Sequence, residues 1–432
     1  MSLVARLVDV PANPLELARR LSDRPGVVVL GSGFGAGASY VACDPVQCRF
    51  GLDPEPALGL RRGSSPLERV PRWIGVLPYE ARRELERVGW TRHPDDREPP
   101  WIEQPRWQRY AAVARVTDRV LVVGHDLGRV RDLGRLLQRS APEQSLTVTL
   151  TGSESGQRHA ERIAAALDLI AAGDLYQVNL ARRFELAVKG SVLELFAALC
   201  RASPAPYSGY LDVDGVTVAS SSPELFLALR PDGRLVTSPI KGTRPRGSDA
   251  ASDAALAASL AADPKERAEL AMVLDVERND LGRVAQTGSI RLIEPPHVRM
   301  LRTVHHRLGS GSARLRAGVS RKELLAAMLP SGSVTGAPKV RAMEVIARLE
   351  AERRGLYTGA FGMLAHDGSL ELGMAIRTLE YRDGAARYFA GGGIVADSDP
   401  AREVEETRWK ALQLTSLLGG QLQKLVRKSA DL

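Results

Sequence analysis

Two short acidic segments have residue types and spacing that could bind a metal ion. In each, an Asp-Pro pair is followed within one helical turn by two glutamates three residues apart: Glu266 and Glu269 in the first segment, Glu403 and Glu406 in the second. Asp-Pro followed by glutamate is also a favourable helix start, so each pair taken alone has a structural explanation. Together, with no lysine or arginine expected on the matching faces, the four carboxylates predict an oxygen-rich site for magnesium beside an anionic substrate.

A lysine next to a glycine turn is a candidate nucleophile. The segment SPIKGTRPRG places Lys241, one of eight lysines in the chain, between a predicted strand and a Gly-Thr turn. A lysine amine becomes nucleophilic when burial or neighbouring cations keep it neutral, and Arg244 and Arg246 follow closely. The alternative is a lysine that faces solvent on a loop.

Two further segments contain groups that transfer protons. Glu224 follows a Ser/Pro turn in SSSPELF, where a sheltered pocket would tune its carboxyl for acid catalysis. His305 and His306 are adjacent, and such a pair fits a core or surface position as well as a catalytic one.

Two glycine-rich segments resemble nucleotide-binding loops but lack the required context. VVVLGSGFGA at 27–36 has dinucleotide-loop spacing, yet the next residues predict a second strand instead of a helix, which favours a β-hairpin with a glycine turn. GSVTGAPK at 332–339 does not have the spacing of a Walker phosphate loop.

The pattern of elements that must position these residues predicts an α+β fold. Strand-like runs are joined by hairpins, above all between 359 and 394, without regular alternation of strand and helix. Helical spacing is found at 14–22, 129–139 and 158–175, and around both acidic segments. The stretch TGSESGQ at 151–157 is a candidate linker.

Composition indicates an ordinary globular protein. The 432 residues are 44% hydrophobic and 25% charged, and we expect no membrane span, no signal peptide and a cytoplasmic location. Three scattered cysteines fit a reducing compartment. The net charge of +8 comes from arginines spread along the whole chain, and aromatic residues are 5%, so we expect no nucleic-acid partner.

Residues 155–415 closely resemble the chorismate-utilising enzymes, in particular component I of the aminodeoxychorismate synthases, with component I of the anthranilate synthases as near relatives. The stretches that carry the resemblance include SPIKGTRPRG, VERNDLGRV, LPSGSVTGAPKVRAMEVI and AGGGIVADSDPAREVEETRWKA. The resemblance implies a large α+β fold with two face-packed, mainly antiparallel sheets and helices outside. It also implies three regions: an N-terminal region (1–150) similar to anthranilate synthase component I, a chorismate-binding catalytic region (155–415) and a C-terminal tail (416–432).

The resemblance further implies a ligand set and a substrate site. Magnesium would bridge the ring carboxylate of chorismate to Glu269 and Glu406, with Glu266 and Glu403 acting through water. The family's substrate contacts correspond to Thr243, Ser333, Tyr357, Arg377, Gly391, Gly392 and Gly393.

The resemblance also implies the reaction. Aminodeoxychorismate synthases read PIKGT where anthranilate synthases read PIAGT, so Lys241 would form a covalent ring adduct that ammonia then displaces, giving 4-amino-4-deoxychorismate on the route to p-aminobenzoate and folate. Glu224 corresponds to the acid that protonates the departing hydroxyl, and His306 to a histidine near the ring. Gln177 stands where isochorismate and salicylate synthases carry a lysine, which disfavours water as the nucleophile.

The sequence also bears on the source of ammonia and on two alternative functions. No cysteine lies in a glycine-flanked nucleophile turn, so we expect a separate glutamine amidotransferase subunit. Anthranilate synthase component I is the alternative within the family, and a non-catalytic basic binding protein that kept the fold is the alternative outside it. The N-terminal region has no clear match to the family's tryptophan-binding segment, so tryptophan binding is not implied.

Overall fold

The computed structural model describes residues 3–35, 37–63, 65–82, 97–302 and 304–411. Within these ranges the strands form two sheets, and every pairing between strands is antiparallel. Strands and helices are numbered along the chain. The larger sheet has twelve strands: β1 (Val4–Val8), β2 (Val28–Leu30), β3 (Ser39–Ala42), β7 (Ala112–Val116), β8 (Val120–Gly124), β9 (Leu146–Ser153), β10 (Gln177–Gly190), β11 (Tyr207–Val213), β12 (Val216–Ser222), β18 (Gly336–Ala337), β21 (Thr378–Arg382) and β22 (Ala385–Ile394).

The smaller sheet has ten strands in the described part of the chain. They are β4 (Gln47–Phe50), β5 (Pro71–Leu77), β6 (Arg106–Arg109), β13 (Leu225–Leu229), β14 (Arg234–Ser238), β15 (Ile240–Pro245), β16 (Arg291–Met300), β17 (Val304–Arg314), β19 (Ala360–Ala365) and β20 (Leu370–Met374). The order of the larger sheet is β1-β8-β7-β3-β2-β11-β12-β21-β22-β10-β18, with β9 also on β10. The order of the smaller sheet is β15-β17-β14-β13-β20-β19-β5-β6-β4, with β16 also on β17.

Nine α-helices are described outside the sheets. They are α1 (Pro14–Arg20), α2 (Leu127–Leu136), α3 (Gly156–Ala171), α4 (Val192–Ala202), α5 (Ala250–Ala262), α6 (Pro264–Val284), α7 (Arg321–Met328), α8 (Lys339–Leu349) and α9 (Pro400–Ala411). Short 3-10 turns occupy Tyr79–Ala81 and Gly332–Val334. Both acidic segments start helices as expected, because Asp263 caps α6 and Asp399 accepts a hydrogen bond from the first turn of α9.

The central core lies between the two sheets. Val28 and Leu211 of the larger sheet pack in one buried cluster with Ile74 and Phe361 of the smaller sheet. A second cluster joins the larger sheet to α1, α2 and α4, and a third joins the smaller sheet to α6 and α7. Burying a side chain of this size stabilises the fold by about 1.5–3 kcal/mol. The α+β prediction, with face-packed antiparallel sheets and helices outside, is confirmed.

The glycine segment at 27–36 forms the predicted hairpin instead of a nucleotide loop. β2 and β3 pair antiparallel on either side of it. Gly35 has a φ of +72°, a backbone conformation that glycine adopts without strain.

The expectation of a linker at 151–157 is wrong. Residues up to Ser153 belong to β9, which pairs with β10, and Ser155 caps α3. Each sheet contains strands from both sides of residue 150, so backbone pairing ties the two parts together. The three-region division stays a prediction, and the tail at 416–432 lies outside the described residues.

None of the helices in the described residues has the length and apolar character needed to cross a membrane.

Candidate active site

The candidate site forms where the chain passes from one sheet to the other. Glu224 lies between β12 of the larger sheet and β13 of the smaller, and Arg377 lies between β20 of the smaller sheet and β21 of the larger. The two crossings are adjacent, because Met374 N donates to Glu224 O at 3.0 Å and Ser221 N donates to Arg377 O at 3.1 Å. Loops held by a rigid scaffold are common positions for functional side chains.

Lys241 lies on a bulge of the edge strand β15. The register of β15 against β17 shifts between Ile240 and Thr243, and Gly242 has a φ of +85°, which favours glycine. A Cβ on Gly242 would also lie 2.8 Å from Glu266 Oε2. The bulge therefore holds the Lys241 backbone against the start of α6.

The environment of Lys241 favours its neutral form. Desolvation lowers the pKa of the Lys241 amine and the charge of Lys410 adds to this effect, while the carboxylate of Glu269 opposes it. Arg244 and Arg246 are not the cations responsible, contrary to expectation. They pair with Asp263 at 2.8 Å and Asp253 at 2.7 Å respectively.

Three glycines of β22 let other groups approach its backbone closely. A Cβ on Gly391 would lie 2.9 Å from Tyr357 Oη, and one on Gly392 would lie 2.9 Å from Glu403 Oε2. A Cβ on Gly393 would collide with the Gln177 amide and lie 3.4 Å from Lys241 Nζ. The glycine run thus lies beside a tyrosine, a helix carboxylate and the candidate nucleophile.

Glu224 is buried and accepts a hydrogen bond from Ser333. The residue is 3% exposed, and Ser333 Oγ lies 2.7 Å from its Oε1. Burial raises the pKa of Glu224 to about 7, against the opposing effects of the Ser333 hydroxyl and the Lys241 charge. The carboxyl is therefore tuned to donate a proton near neutral pH.

His306 is held between Thr243 and Arg377. Thr243 Oγ1 lies 2.9 Å from its Nδ1, and Arg377 Nη2 donates to its Nε2 at 3.3 Å. Burial, and the Arg377 charge after it, lower the pKa of His306 to about 3, so the ring is neutral. Because arginine only donates, Nε2 accepts and the proton is on Nδ1. His305 instead pairs with Asp253 at 2.8 Å, on the other side of β17.

Tyr357 and Arg377 are both rigidly held. The ring of Tyr357 stacks on Phe389 with centroids 5.3 Å apart, and burial raises the pKa of its hydroxyl. Arg377 has a φ of +51° and donates to Ser203 Oγ at 3.0 Å. A non-glycine residue in the left-handed region is uncommon, and such a residue persists where the surrounding structure holds it in place.

The helix carboxylates lie close together, but with lysines among them. Lys265 Nζ lies 3.9 Å from Glu269 Oε1 and 3.6 Å from Glu403 Oε1, which links α6 to α9. Lys410 Nζ lies 2.6 Å from Glu406 Oε1. The expectation that no basic side chain shares these faces is wrong, because Lys265 and Lys410 each lie four residues from a glutamate on the same helix.

A magnesium ion fits the chemistry of these carboxylates. Burial raises the pKa of Glu269 and that of Glu403, and neighbouring carboxylates add to both effects. Such like-charge crowding is relieved by a cation, and carboxylate oxygens are ligands that magnesium prefers. In the described residues, however, no three His, Cys, Asp or Glu side chains are grouped tightly enough to hold a metal as they stand. The lysine amines supply the compensating charge instead.

The structure buries two polar side chains near the site, Gln177 and Glu277, whose burial was not predicted from the sequence. Gln177 is 1% exposed, points toward Gly393, and its amide has no hydrogen-bond partner among the described residues. Glu277 is a buried carboxyl in the middle of α6. Its position on the apolar stripe formed by Leu270, Val273, Leu281 and Val284 was the available sequence signal.

Comparison with known proteins gives the family. A model of the chorismate binding enzymes matches residues 51–416. The chain belongs to the chorismate-binding enzyme family. Comparison with solved structures agrees with the family model. The structure aligns with anthranilate synthase component I from Streptococcus pneumoniae with a TM-score of 0.71 and 27% identity, over 96% of this chain and 92% of that one.

The chorismate-binding relatives divide between two activities by name. Anthranilate synthase component 1 from Thermus thermophilus is 46% identical over 261 residues, which cover 60% of this chain and 56% of that protein. Aminodeoxychorismate synthase component 1 from Klebsiella aerogenes is 37% identical over 385 residues, which cover 86% of this chain and 82% of that protein. The family is thus established, and the choice of product depends on the site.

Proposed function

We propose that this chain is the chorismate-aminating component of an aminodeoxychorismate synthase. The observation that carries the proposal is the position of Lys241, a lysine with a lowered pKa on a bulge between Glu266 and the glycine run of β22. A lowered pKa makes the neutral, nucleophilic form of the amine easier to reach than in an exposed lysine.

In the proposed reaction Lys241 forms a covalent adduct. Its amine attacks the ring carbon next to the one that bears the carboxylate, both ring double bonds shift by one position, and the C–O bond to the ring hydroxyl breaks. Glu224 gives its proton to that hydroxyl, which leaves as water. Ammonia then attacks the vacated carbon, and the lysine leaves as a neutral amine. Two displacements of lower barrier replace one difficult displacement.

The remaining residues would bind and orient the substrate. Arg377 and Tyr357 would hold a substrate carboxylate, with the backbone of the glycine run of β22, Gly391, Gly392 and Gly393, beside it. Ser333 and Thr243 supply hydroxyls, and His306, neutral and fixed by its neighbours, would lie near the ring.

Magnesium is the proposed cofactor. Glu269 and Glu406 would hold it directly, and Glu266 and Glu403 through water. When bound, the ion would neutralise the ring carboxylate of chorismate and so make the ring a better electrophile. Binding of the ion would require Lys265 and Lys410 to break some of their ion pairs with these carboxylates.

A glutamine amidotransferase subunit is the proposed source of ammonia, because no cysteine of this sequence lies in a glycine-flanked nucleophile turn. A cytoplasmic location is proposed as well, because Cys43, Cys48 and Cys200 are all unpaired, as expected in a reducing compartment.

Anthranilate synthase is the second candidate, since the relative from Thermus thermophilus has that name. Incubation of the chain with chorismate, magnesium and ammonium, followed by mass spectrometry, separates the two. An amino product that retains the enolpyruvyl group supports the proposal. Anthranilate with loss of pyruvate overturns it.

We expect kcat/KM to fall as the pH rises through about 7. Burial raises the pKa of Glu224 to about 7, so the carboxyl keeps its proton below that pH and loses it above. The pH dependence of kcat/KM reports groups of the free enzyme. The rate is measured at a fixed concentration of free ammonia, so that titration of ammonium does not contribute.

Ser333→Ala is the control for this pH dependence. The Ser333 hydroxyl lowers the pKa of Glu224, so the falling limb should move to higher pH in the variant. A wild-type profile that stays level through this pH range, or a limb that does not move in the variant, would contradict the assignment of Glu224.

A further inference from the structure

A cavity of about 230 Å³ is lined by residues of both sheets and shares none of them with the candidate active site. Arg72 and Arg109 line it from β5 and β6 of the smaller sheet, and His366 from the turn between β19 and β20. His125 follows β8 of the larger sheet, and Arg129 lies in the first turn of α2. Five basic side chains therefore surround one space, and they come from both sheets and a helix.

Two of the three arginines have no carboxylate partner. Arg72 donates to both oxygens of Glu55, at 2.6 and 2.7 Å. These hydrogen bonds, with smaller contributions from Trp73 and the Arg109 charge, lower the pKa of Glu55 to about 2, so Glu55 is ionised and balances Arg72. Arg109 Nε is buried without a hydrogen-bond partner, and neither Arg109 nor Arg129 forms an ion pair within the described ranges. Both guanidinium groups can therefore accept an added anion.

The acidic side chain of the cavity does not cancel this charge. Of the described lining residues, Asp126 alone is acidic, and its Oδ1 caps α2 by accepting a hydrogen bond from Arg129 N at 2.9 Å. Even with Glu55 and Asp126 counted against the three arginines, one positive charge remains. The N-terminus of α2 adds a partial positive charge to it.

The two histidines of the cavity form a pair. His125 Nε2 lies 3.1 Å from His366 Nδ1, and the rings are nearly perpendicular with centroids 4.6 Å apart. Burial, and the His125 charge after it, lower the pKa of His366 to about 3, so its ring is neutral. The pair contributes imidazole N–H groups to the cavity and no negative charge.

We propose that this cavity binds a phosphate group between Arg109 and Arg129, either as inorganic phosphate or as part of a small phosphate monoester. Guanidinium groups bind phosphate oxygens in pairs, and two unpaired arginines match the two charges of a phosphate dianion. The donors come from β6, α2 and the histidine pair, and these separate directions suit a tetrahedral oxyanion better than a planar carboxylate.

The bound anion would link the two sheets. Arg109 belongs to the smaller sheet, whereas α2 packs through Val130 and Leu133 against the larger sheet. A ligand held by Arg109 and Arg129 therefore stabilises the folded chain at the place where the sheets meet. The inference is independent of the reaction proposed above, because the cavity contains none of the residues assigned to it.

Thermal unfolding in the presence of inorganic phosphate tests the site. A ligand that binds only the folded chain raises Tm as its concentration rises. We expect Tm of the wild-type chain to rise between about 0.1 and 10 mM phosphate at constant ionic strength, with chloride as the comparison anion. Isothermal titration calorimetry with inorganic phosphate then gives Kd at a temperature where every variant is folded. No measurable binding up to about 10 mM would overturn the proposal.

Arginine variants separate this cavity from the active site, which also binds anions. Arg109→Gln and Arg129→Gln should each raise Kd for phosphate by at least about tenfold, because each removes charge-assisted hydrogen bonds. Arg109→Lys keeps the charge without the fork and should lose less. Arg131→Gln is the matched control, since Arg131 is exposed on the same helix and does not line the cavity. Wild-type Kd in both glutamine variants would overturn the proposal.

A comparison of ligands identifies the source of the phosphate group. Tighter binding of glycerol 3-phosphate than of inorganic phosphate, lost in Arg109→Gln, would indicate an organic phosphate, and the reverse order would indicate the free ion. Succinate carries the same charge on planar carboxylates and should bind at least about tenfold more weakly. Equal binding of succinate and phosphate would overturn the assignment to a phosphate group. Because chorismate is absent, failure of the proposed amination does not affect these results.

Discussion

Replacing Lys241 by alanine is expected to lower the rate of aminodeoxychorismate formation by at least about 100-fold, because loss of a covalent nucleophile removes the two-step path and leaves only binding and orientation. KM for chorismate should change much less, since Glu269, Glu406 and Arg377 remain. Lys241 is half-buried on an edge strand, so the variant should fold. The rate is measured with chorismate, magnesium and ammonium by mass spectrometry of the product.

A trapping experiment tests whether Lys241 itself forms the covalent adduct. In the absence of ammonia, wild type incubated with chorismate should gain the mass of chorismate less one water, and Lys241→Ala should not. Lys241→Arg introduces a permanent cation that is not a nucleophile, and should behave like the alanine variant. Lys322→Ala, an exposed lysine on α7, is the matched control and should retain full rate. Full activity of Lys241→Ala would show that the lysine does not select the reaction.

Replacing Glu406 by glutamine is expected to raise the magnesium concentration for half-maximal rate by at least about tenfold, since even residues behind metal ligands cost 10–100-fold in metal affinity when changed. The amide removes the negative charge of one proposed ligand at the same size. The Glu406 side chain is about half-exposed and pairs with Lys410, so its loss should affect stability little. The magnesium dependence of the steady-state rate is the measurement, and Mn²⁺ binding by electron paramagnetic resonance is a second readout.

Glu405→Gln is the matched control for the metal prediction. Glu405 lies next to Glu406 on α9, is exposed and pairs with Arg408 at 3.2 Å. Its variant should show the wild-type magnesium dependence. Glu403→Gln should have an intermediate effect, as expected for a residue that acts through water. An unchanged magnesium requirement in Glu406→Gln would remove Glu406 from the proposed ligands.

Much of the fold was predictable from local sequence. The Asp-Pro segments started helices where expected, and the glycine segment at 27–36 made a hairpin. These predictions depend on capping, turn chemistry and side-chain periodicity, which act over a few residues. The prediction of a linker at 151–157 was wrong because it depended on a contact between distant parts of the chain. Its Ser and Gly residues suggested a boundary, but β9 obtains its hydrogen bonds from β10, a partner that local composition does not specify.

The site was predictable as a set of residues but not as a set of interactions. Glu224, Lys241 and the paired glutamates were identifiable by type and motif. Lys265 and Lys410 lie among the carboxylates, and Arg244 pairs with Asp263 and Glu266. These pairings depend on which long side chains meet in the folded chain. Glu277 carried a weak signal as a charged residue on an apolar stripe, and its hydrogen-bonded connection to Glu224 through two serine hydroxyls spans 53 positions along the chain.

The sequence by itself determined the fold class, the family and the residue types available for chemistry, because periodicity, caps and motifs are local properties of the chain. Only the tertiary structure decided the electrostatics. Burial raises the pKa values of Glu224 and Glu277 and lowers that of Lys241, and burial is set by the packing of two sheets whose strands are distant in sequence. The charge that each group feels therefore comes from neighbours that the folded chain alone brings together.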